Sequence, residues 1–157
     1  MRRSQRCVEA ALGIALVHYN APAHHRRAQR LLDAVLADQP DDTACLLARG
    51  YIMTAAERWE QAVTVFDRLL ELTKDVDTRL EVRGERAWAL VHVDRLDEAQ
   101  KELNEVIAEL NERGVEAADE RAKAWWRLGT CYWQAGGAHM ILLCRVTRSL
   151  SMHRPAP

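Results

Sequence analysis

The chain has 157 residues, 48% of them apolar, and a formal net charge of -1. That is enough material for one domain with a sizeable core, and it excludes an intrinsically disordered chain. The near-neutral balance gives no bulk attraction to nucleic acid or to an acidic partner, and the apolar run "MILLC" is far too short to span a bilayer.

Glycine and proline are scarce, while Ala, Leu, Glu and Arg are abundant, which is a helical composition. Cys7, Cys45, Cys131 and Cys144 are widely scattered with no C-x-x-C pair, so they read as reduced, mostly buried thiols of an intracellular protein. The start "MRRSQR" is basic, but no apolar signal core follows it.

Internal repetition near 34 residues identifies paired antiparallel helices of the tetratricopeptide (TPR) type. Such a unit wants a large apolar residue at its fourth position, an apolar one at the seventh, a small one at the eighth and an aromatic at the eleventh. A small residue at the twentieth and large or small apolar residues at the twenty-fourth and twenty-seventh follow. After a flank at 1–8, four segments fit. The first, 9–42, holds Leu12, Ala15, Leu16, Tyr19, Ala28, Leu32, Val35 and Pro40, with Leu16 where a small residue is wanted. That leucine is expected to hold the two helices slightly apart. The second, 43–76, holds Leu46, Arg49, Gly50, Met53, Ala62, Phe66 and Leu69. The third, 77–121, counted from Leu80, holds Ala87, Leu90, Ala99, Leu103 and Val106, but places Arg83 and Arg86 at apolar positions. The fourth, 122–137, holds Trp125, Leu128, Gly129 and Tyr132, the best first helix of the set.

The small residues mark points of close helix approach, and the large ones fill the space beside them. An unrelated helical bundle would also show a period of 3.6, but it would not repeat its small residues in one frame. The fold class is therefore all-α, a TPR-type α-solenoid of about three and a half repeats. The predicted helices cover 7–20, 24–38, 43–56, 59–74, 78–93, 95–113 and 117–135. "PDDT" supplies Asp caps before the third helix, and Asp41 with Asp42 is read as a capping pair. Thr78 with Glu81 reads as a capping box, Asp94 as the cap of the sixth helix, and Gly114 as its left-handed end. The extra residues 114–121 are expected to lengthen helices rather than to form a long loop.

From Ala138 onward the frame fails. Continuing it puts Arg145 and Arg148 at close-packed apolar positions, and a one-residue slip gives the more tolerable Met140, Cys144 and Thr147. The segment 138–157 also lacks any acidic residue. We expect the chain to be part of a longer array, with a tail that is not repeat sequence, in preference to a divergent capping helix.

No catalytic constellation is visible, and no cofactor or metal is implied. His24 and His25 fall in an expected exposed turn, without Cys, Asp or Glu at metal-like spacing. Ser4, Ser149 and Ser151 have no activating partners, and no glycine-rich phosphate loop occurs. Arg26, Arg27 and Arg30 read as a solvated face. What remains is the inner groove of the solenoid, lined by first-helix residues. Val17, Leu47, Tyr51, Trp88, Lys123, Trp126, Arg127 and Trp133 are the candidate partner-binding residues. This apolar, aromatic lining suits an extended peptide or an amphipathic helix, although a tightly wound superhelix could bury it against its own next turn. Lys123 and Arg127 occupy one half of the carboxylate clamp of chaperone-binding modules, but Gly13 and Val17 stand where the other half needs Lys and Asn.

Beyond the superfamily, "LLDAVLADQPDDTACLLARGYI" and "WWRLGTCYWQAGG" resemble the large TPR scaffold of the fungal superkiller (Ski) complex. In that family a Trp-Arg-Leu/Val-Gly-x-Cys-Tyr-Trp segment opens a repeat, as Trp126 to Trp133 does here. The resemblance runs from about Ala11 to Gly137 and stops where the repeat frame fails. It implies a non-catalytic cytoplasmic scaffold, with the nucleus left open, holding a helicase subunit and WD-repeat subunits that feed RNA to the exosome. A free-standing peptide-binding adaptor, or the repeat array of an enzyme whose catalytic domain lies elsewhere, are the alternatives.

Overall fold

A computed structural model of the protein describes residues 2–18, 22–113 and 117–135. Among them are seven helices and no strand: α1 (Arg2–His18), α2 (Pro22–Asp38), α3 (Thr43–Ala55), α4 (Trp59–Leu72), α5 (Val76–His92), α6 (Leu96–Glu112) and α7 (Ala118–Gln134). This is a TPR-type α-solenoid. Two compact units divide at Asp94 and Arg95, the first containing α1 to α5 and the second α6 and α7.

In the first unit α1 packs on α2, α3 on α4, α4 on α5 and α2 on α3. Helix α1 also meets α3, first helix against first helix, which is how stacked hairpins share a core. The repeating small residues Ala28 and Ala62 are fully buried, as are Leu32, Phe66 and Leu69. Gly50 lies against Phe66 so closely that a Cβ there would stand 2.3 Å from a ring carbon. In the second unit α6 and α7 pack through Ala99, Leu103, Val106, Ile107 and Leu110 on one side and Ala124, Leu128 and Cys131 on the other, all buried. The Cys131 thiol there meets the Leu96 carbonyl at 3.5 Å.

The first repeat is out of step with the expected frame. Gly13, not Leu16, sits at the point of close approach: a Cβ on Gly13 would lie 2.9 Å from Leu32 Cδ2. Leu16 is half-buried and Leu12 is exposed. The first helix is therefore shifted by three residues relative to the second, and Leu16 is not the spacer it was expected to be. Helix α1 also starts earlier, at Arg2.

Caps account for the other boundary differences. Asp42 caps α3, accepting from the Cys45 amide at 2.9 Å, whereas Asp41 is no cap and instead pairs with Arg68 at 2.8 Å. Helix α5 is capped by Asp75 rather than by Thr78 with Glu81. Thr78 lies inside the first turn and donates its amide and its hydroxyl to Asp75 Oδ2, at 2.8 and 2.7 Å. Arg79 reaches back to the carbonyls of Leu70 and Thr73 at 2.7 and 3.0 Å, closing the end of α4. Asp94 does not cap α6. It takes φ 62, just after the end of α5, and the residue before α6 is Arg95, which makes no side-chain cap. Glu57 does the same after α3 with φ 56, where the Arg58 amide bonds to Met53 O and the Glu57 amide to Thr54 O. That pair of bonds is a Schellman ending built on glutamate instead of glycine. His24 and His25 lie in the first turn of α2, half-buried, and not in an exposed turn. Of the extra residues before the fourth repeat, 118–121 extend α7 by a turn, while Gly114 lies outside the described residues, as does the segment 138–157.

Two arginines at apolar positions have partners from the preceding repeat. Arg86 bonds Asp67 at 2.5 Å with only 15% of its side chain exposed. Arg49 stands 3.7 Å from Asp33 in the same relation one repeat earlier. An arginine in such a slot is tolerable because its charge is met by a carboxylate from the neighbouring helix.

Candidate protein-binding groove

The first-helix positions expected to line the groove fall into two separate groups, one in each unit. In the first unit, Leu47 and Tyr51 stand on α3 and Trp88 on α5, all partly exposed. Val17 on α1 is 8% exposed and belongs to the core, so it underlies the surface rather than lining it. The Tyr51 hydroxyl donates to the Glu81 carboxylate, which ties α3 to α5 across this face. Glu81 therefore anchors a tyrosine instead of completing a capping box.

Trp88 belongs to a cluster that sequence reasoning did not single out. The His92 ring stacks on Trp59 at 3.9 Å and 9°, and Trp88 meets the same imidazole edge-on at 4.5 Å and 89°. Trp59 opens α4 and His92 closes α5, so the cluster joins the start of one helix to the end of the next. The available signal was spacing: Trp88 and His92 are four residues apart on one helix face. Burial lowers the His92 pKa below the ordinary imidazole value, and the Glu57 carboxylate opposes that shift weakly. The neutral imidazole is thus the form that suits the stack.

In the second unit, α7 carries Lys123, Trp126, Arg127 and Trp133. Trp126 and Trp133 are 63% and 69% exposed. Lys123 pairs with Glu120 at 2.8 Å, and Arg127 is half-buried. Aromatic surface of this kind, with few charges between, is the composition of protein-recognition patches.

The Cys45 and Cys131 thiols are structural. Burial, helped by Asp42, pushes the Cys45 pKa up to about 12, and burial also raises that of Cys131. Such thiols stay protonated and unreactive. Cys7 is exposed, and Cys144 lies outside the described residues. Among the described residues no three His, Cys, Asp or Glu side chains are grouped to hold a metal ion, and no helix is long and apolar enough to cross a membrane.

Stacked hairpins with small residues at the helix contacts and an aromatic first-helix surface define a helical-repeat protein of the TPR type. No protein-family model matches the chain. In sequence it is similar to Superkiller protein 3 of Saccharomyces cerevisiae (strain ATCC 204508 / S288c), with 28% identity over 126 residues. The match covers 79% of this chain and 9% of the yeast protein, so the chain spans a small part of that relative's length.

Proposed function

We propose that this chain is a non-catalytic scaffold segment that assembles other proteins, as part of a superkiller-type complex supporting exosome-dependent 3′-to-5′ RNA decay in the cytoplasm. The similarity to Superkiller protein 3 along 79% of the chain carries this reading. The chemistry agrees with it. The partly exposed Leu47, Tyr51 and Trp88 of the first unit and the exposed Trp126 and Trp133 of the second are contact residues with no reactive group among them. The partners are a helicase subunit and WD-repeat subunits, and the surface contacts protein rather than RNA.

The direct test is co-purification of the tagged full chain with the helicase and WD-repeat subunits of its own organism. Retention of either, reduced by Tyr51→Ala together with Trp88→Ala, is the expected result. Failure to retain any of them, or equal retention by the double variant, overturns the reading. Tight binding of a free peptide carboxylate would favour a chaperone-type adaptor instead, despite the incomplete clamp.

A further inference from the structure

Three arginines on α2 stand without a counter-charge. Arg26, Arg27 and Arg30 are all exposed, and among the described residues none of them has a carboxylate partner. By contrast Arg6, Arg49, Arg68, Arg86 and Arg95 each stand beside one. Arg30 lies one turn beyond Arg26 and Arg27, so like charges meet at i,i+4 and i,i+3, which costs helix stability. They also stand near the N-terminal end of a helix with no acidic residue in its first turn, where the macrodipole favours anions. Counted from the buried alanines Ala28, Ala62 and Ala99, the matching residues are Glu60, Gln61 and Thr64 on α4, and Asp97, Glu98 and Lys101 on α6. The other two second helices thus open with carboxylates where α2 places guanidiniums. The undescribed residues have little to offer in return. Their acidic side chains amount to Glu116, and 136–157 contains none.

We propose that this patch is a docking site for an acidic segment of a partner protein, whose Asp and Glu side chains pair with Arg26, Arg27 and Arg30. Complementary charge identifies the occupant. A guanidinium is a planar fork that takes a carboxylate through two parallel hydrogen bonds, and three of them in little more than one turn match closely spaced acids. RNA fits less well, because α2 has no Phe, Tyr or Trp on which bases could stack, and three cations are few against a phosphate backbone. A lipid surface is excluded as the occupant by burial: Ala28, Leu32 and Val35, the apolar face of α2, are packed in the core and do not reach lipid. The patch lies on a second helix, apart from the first-helix residues Leu47, Tyr51 and Trp88, and it does not depend on the superkiller reading.

The probe is fluorescein-labelled octaglutamate, titrated into the full chain at low salt and followed by anisotropy. Saturable binding is expected, weakened about tenfold or more when Arg26→Gln, Arg27→Gln and Arg30→Gln are combined. Glutamine is nearly as good a helix former as arginine, so unchanged helical circular dichroism verifies that the variant folds. A second triple variant, Arg58→Gln with Lys74→Gln and Lys101→Gln, removes the same charge from exposed positions elsewhere and should bind nearly as tightly as the parent. Labelled octauridine carries a similar charge and should bind less tightly than octaglutamate. Absent binding of octaglutamate, or equal binding by the α2 variant, overturns the proposal. So does an equal loss in the second variant, because bulk charge then explains the binding. Tighter binding of octauridine through the same three arginines overturns it in favour of nucleic acid.

Discussion

Alanine at Gly50 and alanine at Gly129 are the same substitution at the same repeat position, and the structure assigns them opposite signs. At Gly50 the added Cβ would lie 2.3 Å from Phe66 Cε1, 2.8 Å from Cζ and 3.0 Å from Cδ1. Carbon atoms pack best at about 3.5–4.0 Å, so the ring would have to retreat by roughly 1 Å. Phe66 is fully buried and has no open side to move into. Overpacking of this kind costs about 1–3 kcal/mol, against a helix-propensity gain of about 1 kcal/mol. With three ring carbons in conflict, the net loss should be about 1–2 kcal/mol. At Gly129 nothing among the described residues lies within 4 Å of the added Cβ, and the propensity gain of about 0.8–1 kcal/mol should be seen alone. Urea unfolding followed by far-ultraviolet circular dichroism measures both. Adding Phe66→Leu to Gly50→Ala should recover part of the loss. If Gly50→Ala matches or exceeds the parent in stability, the close-approach account of the repeat is wrong.

Asp67→Ala should destabilise by about 1–3 kcal/mol, because it strips a charged hydrogen bond from a largely buried guanidinium, whereas Arg86→Leu should stay within about 1 kcal/mol of the parent; denaturant titration of the two variants checks the asymmetry. The lowered pKa of His92 means that the unfolded chain binds a proton more readily than the folded one. Its contribution is therefore fully present above the ordinary imidazole value and lost as pH falls through that value toward the folded one. Thermal melting from pH 7.5 down to 5.5 should show that loss, and His92→Phe should flatten it. Cys45 and Cys131 should resist alkylation by iodoacetamide in the native protein while Cys7 reacts, and mass spectrometry before and after urea treatment reads this directly. Glu57→Gly should raise stability by about 0.5–1 kcal/mol, since glycine takes φ 56 without strain; a loss in the same urea assay would count against strain at that turn.

The seven helices were legible in the sequence because period and caps agreed, and each predicted span overlaps the observed one along most of its length. The first repeat was misread because positions were counted back from Ala28. Gly50 precedes Ala62 by twelve residues, and Ala87 precedes Ala99 by the same distance, but Gly13 precedes Ala28 by fifteen. The three extra residues lie at the start of α2, which opens at Pro22, a further turn ahead of Ala28 than Trp59 is ahead of Ala62; they shift α1 against its partner, and no periodicity within α1 could reveal that. Val17 is buried among its neighbours, which its place on the helix does not reveal, since Trp133 stands at the same distance from Gly129 as Val17 does from Gly13 and is exposed. The arginines at apolar positions looked costly because their partners lie a repeat away: Asp67 is nineteen residues before Arg86. Likewise, Trp59 reads as an ordinary helix opener until tertiary packing lays His92 over it. Local signals specified the helices. The contacts that give the surface its chemistry come from neighbouring hairpins, which a count within one unit does not see.

The pairs Asp33 with Arg49 and Asp67 with Arg86 also constrain which hairpin can follow which. The equivalent residues in α6 and α7 are Asn104, which bonds back to Gln100 O, and Leu128, which is buried without charge. A hairpin bearing the arginine tolerates only a predecessor bearing the aspartate, whereas the last one demands a neutral predecessor. Permuting the units would strand a guanidinium against asparagine or press leucine onto a carboxylate. Sequential order is thus favoured by polarity at a single recurring position, so exchange among the hairpins would be penalised even where their hydrophobic faces match.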